Sequence, residues 1–101
     1  EGGVGMTDRF DILNHAAEVV RDREGVYGKP EDNARRVAAL WNAYLENRTI
    51  KPVDVGIMMA LLKAARLAEC PHLDGFVDGA GYFAYAGEVA DRGDRWCLEP
   101  E

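Results

Sequence analysis

The sequence has few cysteines, no long apolar run and no surplus of basic residues, and each shortage closes off a class of function. Cys70 and Cys97 are its only cysteines. Two, widely separated, make neither a disulfide framework nor a zinc-ligand spacing, so both read as reduced packing residues. No apolar stretch approaches the ~18–20 residues of a membrane span, and no basic-then-apolar leader stands ahead of the first helix, so the expected place is the cytoplasm. Twelve Lys plus Arg stand against eighteen Asp plus Glu, a formal charge of −6. That balance argues against nonspecific binding to a nucleic-acid backbone. It leaves phosphate chemistry open, because carboxylates can hold a divalent cation that bridges to an anion. No Ser or Cys is placed with a His, and no glycine-rich phosphate loop occurs, so nothing supports nucleophilic catalysis. Strand-like alternation, repeats and low-complexity stretches are also missing.

What is present reads as helices. At 101 residues there is room for one domain. Such a chain buries only about 60–65% of the surface its unfolded form exposes, so pairing with a second copy would add stability. Residues 1–5 read as an expression-vector remnant, 6–92 as the all-α domain, and 93–101 as an irregular tail. Thr7 or Asp8 can cap a first helix carrying Phe10, Leu13, Ala17 and Val20, which stops near Gly25. Tyr27 and Gly28 fall in a turn. Pro30 opens a second helix, with Glu31 and Asp32 in its first turn and Val37, Leu40, Trp41, Tyr44 and Leu45 as its stripe, running to about Asn47. Pro52 opens a third helix, apolar almost all round and therefore expected to be central and buried. Pro71 ends it. A fourth helix over about 72–92 is rich in Gly and Ala. Glycine costs about 1 kcal/mol relative to alanine inside a helix, so close helix packing is the expected reason for it. Four helices with short connections predict a compact all-α bundle.

Polar residues on these helices are the candidate site. On the third helix, Asp54, Lys63, Arg66 and Glu69 make one side charged, which is either a solvent stripe or part of a site. On the fourth, Asp74 and Asp78 stack one turn apart and want a counterion, which Lys63, Arg66 or a divalent metal could supply. The alternative is an N-terminal pair, with Asp74 stabilised by the helix dipole and Asp78 exposed. Asn33 falls on the apolar face of helix two, where an amide needs partners. Tyr27 could stack on a base or serve as a hydrophobic anchor. His15, beside Ile12 and Val19, reads as an interfacial or core-edge histidine and not as a ligand.

The ordered set Tyr27-Gly28, Asn33, Ala39-Leu40-Trp41, Tyr44-Leu45, Asp54-Val55, Met58-Met59, Leu62-Lys63, Ala65-Arg66, His72, Asp74, Asp78 and Ala80-Gly81-Tyr82 resembles a family of small phage and prophage domains of unknown function. The resemblance covers about residues 18–90. That family is in turn similar to the MazG-like, all-α nucleoside triphosphate pyrophosphatase superfamily. The resemblance implies a bundle of four or five helices forming a homodimer or higher oligomer in the host cytoplasm. Mg²⁺ would be held by Asp54, Asp74 and Asp78, and a metal-activated water would split an NTP into NMP and pyrophosphate. Lys63 and Arg66 would neutralise phosphate oxygens, with Lys63 joining the aspartates as a catalytic group, and Tyr27, Asn33 and Tyr82 would meet the rest of the nucleotide. The sequence departs from the superfamily's Glu-x-x-Glu pattern, which it lacks; its one Glu-x-x-Asp runs from Glu88 to Asp91. Two other readings stand beside this one: a noncatalytic phage protein of the same fold that binds a host or phage protein, and a structural homo-oligomer held by a salt-bridge network.

Overall fold

Helix α1 (Arg9–Asp22) starts where Asp8 can satisfy it. The Asp8 carboxylate accepts from the Asp11 backbone N–H at 2.9 Å, and the Asp11 carboxylate accepts from the Asp8 N–H at 3.1 Å, so two amide donors of the first turn are answered reciprocally. Two further helices start at prolines, α2 (Pro30–Leu45) and α3 (Pro52–Glu69), where the missing N–H costs nothing. The fourth, α4 (Leu73–Arg92), follows Pro71 and His72. The computed structural model describes residues 7–26 and 28–93, all-helical among those residues, with four helices and no strand. Gly25 sits at φ +83°, a left-handed conformation that suits glycine at the end of α1. Helix α2 closes two residues short of Asn47, on Glu46 at φ 53°. The turn beyond is clamped by Asn42, whose amide donates to the Ile50 carbonyl at 2.9 Å and accepts from the Ile50 N–H at 3.2 Å.

Helix α4, not α3, is the hub. It packs on all three other helices, whereas α1 touches only α4 among the described elements. The expectation of a buried third helix is therefore corrected: Leu61 and Leu62 of α3 are exposed, and its buried positions are Val55, Gly56 and Ala60. The reason is size. Small residues on α4 allow three backbones to approach it, whereas an all-apolar helix still needs something opposite each face. At Gly56 a Cβ would come within 2.8 Å of the Tyr82 carbonyl oxygen and 2.9 Å of the Ala86 Cβ, so α3 and α4 touch nearly backbone to backbone.

The core that results is small-residued. Ala34 and Ala38 of α2 meet Val55 of α3 and Val89 of α4, bordered by Val37, Trp41, Ile50, Val53 and Tyr85. No large side chain of the described residues is fully buried. Much of the expected apolar stripe on α2 faces outward, with Tyr44 86% exposed, and so do Phe10, Leu13 and Val20 of α1. Cys70 is exposed at the end of α3, not packed inside, and His15 is exposed as well. Cys97 and Tyr27 lie outside the described residues.

Candidate functional site

Helices α3 and α4 run antiparallel, so residues late in α3 meet residues early in α4. The register shows at Gly75, whose missing Cβ would lie 2.6 Å from Leu67, and at Lys63, whose ammonium is 3.2 Å from an Asp78 carboxylate oxygen. This pair is the one ion pair between helices among the described residues; the others join residues one, three or four apart on a single helix. It is also the most sheltered, with the Lys63 side chain 19% exposed. Asp74 lies one turn before Asp78 on α4 and Tyr82 one turn after it, while Arg66 lies one turn beyond Lys63 on α3. Residues spaced this way share a face, so five of the sequence-predicted residues form one polar strip beside the α3–α4 contact. Asp78 has found in Lys63 the counterion its spacing to Asp74 demanded.

The other predicted residues are elsewhere. Asp54 caps its own helix, its carboxylate accepting from the Lys51 backbone N–H at 2.8 Å while its N–H donates to the Lys51 carbonyl at 2.9 Å. Nine residues of helix put it about 13 Å along α3 from Lys63. Asn33 accepts from the Tyr85 hydroxyl at 2.8 Å, a strut between α2 and α4 and not part of the strip. Burial, with a smaller contribution from Tyr82, pushes the Tyr85 hydroxyl above its ordinary pKa. Tyr85 is the residue that sequence reasoning missed; the signal for it was the amide at Asn33, which required a partner.

A Mg²⁺ shell does not fit these positions in one chain. Asp54 is bound to backbone at one end, Asp78 is engaged by Lys63, and Asp74 alone is open. Among the described residues no group of three or more His, Cys, Asp or Glu is placed to hold a metal ion. The expected gathering of Asp54, Asp74 and Asp78 around one cation is corrected accordingly: the N-terminal position of Asp54 is satisfied locally by the helix it starts.

Two hollows flank the bundle, and neither contains the strip. One, of about 290 Å³, lies between the N-terminal turns of α2 and α3 and the end of α4, with Arg35, Lys51, Arg92 and Glu31 in its wall. Its arginines are already matched, Arg35 to Asp32 at 3.0 Å and Arg92 to Glu88 at 3.0 Å. The other, of about 330 Å³, is an apolar groove between α1 and α4 lined by Leu13, Ala17, Val20, Ala80 and Ala84.

With this geometry in place, the kinship of the chain is informative. It belongs to the family described as Domain of unknown function (DUF6378), which matches residues 11–90. It is 44% identical over 75 residues to the Gene 55 protein of Mycobacterium phage L5, the aligned part covering 72% of this chain and 48% of that protein. It is 38% identical over 73 residues to the Gene 55 protein of Mycobacterium phage D29, covering 70% and 48% respectively. The chain thus spans about half the length of the curated relatives it matches. No solved structure matches it. No helix among the described residues is long and apolar enough to cross a membrane.

Proposed function

From membership of that family, with its phage relatives, we propose that this protein is a MazG-like nucleotide-binding protein of the host cytoplasm whose α3–α4 strip meets the phosphates. The observation that supports this reading is the sheltered Lys63–Asp78 pair with Arg66, Asp74 and Tyr82 along the same strip. A lysine ammonium has three donors on a flexible stem and can turn from a carboxylate to a phosphate oxygen, and an arginine fork matches phosphate in two places. Asp74 can accept from a sugar hydroxyl, and the Tyr82 ring offers a flat face. Mg²⁺-dependent release of pyrophosphate is the reaction the resemblance suggests. One chain's carboxylates do not fit the ion, so the proposal is of binding and carries no hydrolytic step.

Thermal unfolding with a panel of NTPs and dNTPs, with and without Mg²⁺, tests this. A nucleotide at a hundred times its Kd adds about 2.7 kcal/mol to stability, a rise in Tm of roughly ten degrees or more for a domain of this size. The rise should be lost in Lys63→Ala and reduced in Arg66→Ala. No shift with any nucleotide overturns the reading, and pyrophosphate release would extend it to catalysis.

A second reading, a noncatalytic protein that binds a host or phage protein, is favoured by the outward large apolar side chains of α1, α2 and α3. Recovery of one specific partner, retained by the Asp74→Ala/Asp78→Ala variant, in a protein that ignores nucleotides supports it over the first.

A further inference from the structure

The hollow shared by the first turns of α2 and α3 and the end of α4 has a mixed lining that the α1–α4 groove lacks. Pro52, Val53 and the buried Val89 make its apolar part, and Arg35, Lys51 and Arg92 stand beside them. Arg35 and Arg92 are held by carboxylates of their own helices, whereas Lys51 has no ion pair among the described residues. An apolar surface bordered by cations suits an aromatic ring, which buries its area on the one and offers its π-face to the other. Indole is the ring that cations favour most. The sequence holds two tryptophans. Trp41 already packs against the core from α2, which leaves Trp96.

Residues 94–101 lie outside the described residues, and they leave the bundle at Gly93, which is itself in the wall of this hollow. Trp96 stands three residues on. Three extended residues span at most about 10–11 Å, so the ring is confined to this end of the bundle. The apolar groove between α1 and α4 is farther away: Ala84, its lining residue nearest to Gly93 in the chain, lies about 13 Å back along α4. Charge agrees with the placement. Past Gly93 stand Asp94, Glu99 and Glu101 against Arg95 alone, so an acidic segment meets the unpaired Lys51 and no ion pair of the hollow has to break. We propose that the segment after Gly93 folds back on its own bundle, with the Trp96 indole seated in this hollow on Pro52, Val53 and Val89 and beside Lys51. It straps the first turns of α2 and α3 to the end of α4. It also adds a large aromatic to a core in which no large side chain of the described residues is fully buried. This docking is separate from the polar strip and holds whether or not a nucleotide binds.

Nuclear Overhauser contacts in the full chain test the seat directly. The Trp96 ring protons should contact the Val53 and Val89 methyls, and in a mixed-label sample those contacts should fall within one copy. In Trp41→Phe, where Trp96 is the one indole left, the fluorescence should be shielded from acrylamide in the folded chain and open to it in urea. Trp96→Ala should lower Tm by about five degrees or more, the expected cost of returning an aromatic's area to water in a domain of this size. Lys51→Glu sets a like charge beside the acidic segment and should open Trp96 to acrylamide with helical content retained. Should either fluorescence variant unfold, the contacts in the wild type decide. Their absence overturns the proposal, as do contacts found only between copies, an indole as open to acrylamide in the folded chain as in urea, a Trp96→Ala chain that melts with the wild type, or a folded Lys51→Glu chain whose Trp96 stays equally shielded.

Discussion

The two sides of the α3–α4 pair use the same small residues to opposite ends. On the side that carries α2, the buried small residues are partnered: Ala34 and Ala38 sit against Val55 and Val89, and Tyr85 reaches Asn33. Between the two helices, Gly56 lets a carbonyl and a methyl come as close as contact allows. On the far side, no described atom comes within 4 Å of where a Cβ would stand at Gly79 or Gly87, and Phe76 and Phe83 are exposed. A small residue therefore marks a site of close approach only when something approaches, and its neighbours decide whether it stabilises or weakens the helix.

Four substitutions break or sharpen that contrast. The largest effect is expected at Gly56→Ala, where the new methyl would lie against a backbone carbonyl that cannot give way. It should destabilise by about 2–3 kcal/mol, the cost of an overpacked core, seen as a drop in Tm of more than ten degrees. Tyr85→Phe removes a half-buried hydrogen bond and should cost about 1 kcal/mol in urea unfolding. The same variant sharpens a pH effect. Because folding raises the Tyr85 pKa, its stabilising contribution is complete below the ordinary tyrosine value of 10.0 and is lost as pH climbs through the higher folded value. Stability of the wild type should therefore fall in alkali, and less steeply in Tyr85→Phe. On the open side the sign reverses: Gly87→Ala should stabilise the dilute chain by about 0.5–1 kcal/mol, because the methyl meets no described atom. The smallest effect is at Asp78→Asn, which loses the ion pair but keeps a polar partner for Lys63. A loss of about 0.5 kcal/mol, diminishing with added salt, is expected for so partly exposed a pair.

Much of the architecture was legible in the sequence. The prolines at 30, 52 and 71 and the carboxylate at Asp8 are local signals, and local chemistry decides where a helix starts. The pairing of Asp78 was legible for the same kind of reason: two like charges one turn apart need an opposite charge, and Lys63 and Arg66 were the nearest basic residues on a neighbouring helix. What could not be read was which helix lies in the middle. The all-apolar composition of α3 shows how much it could bury, whereas the hub is fixed by how closely other backbones can come, and that depends on pairs of residues far apart in the chain. Asp54 misled for a related reason. A carboxylate in the first turn of a proline-started helix has a ready partner in its own backbone, and that short-range bond outcompetes assembly into a distant cluster.

One consequence lies in the single attachment of α1. Since that helix leans on α4 and on no other described element, it can peel away as a unit while the remaining three keep their shared interior. A detached stretch of 14 residues is too short to hold its turns in water, so its amide protons should trade with deuterium well before those of α4, and trypsin should nick first at Arg21 or Arg23.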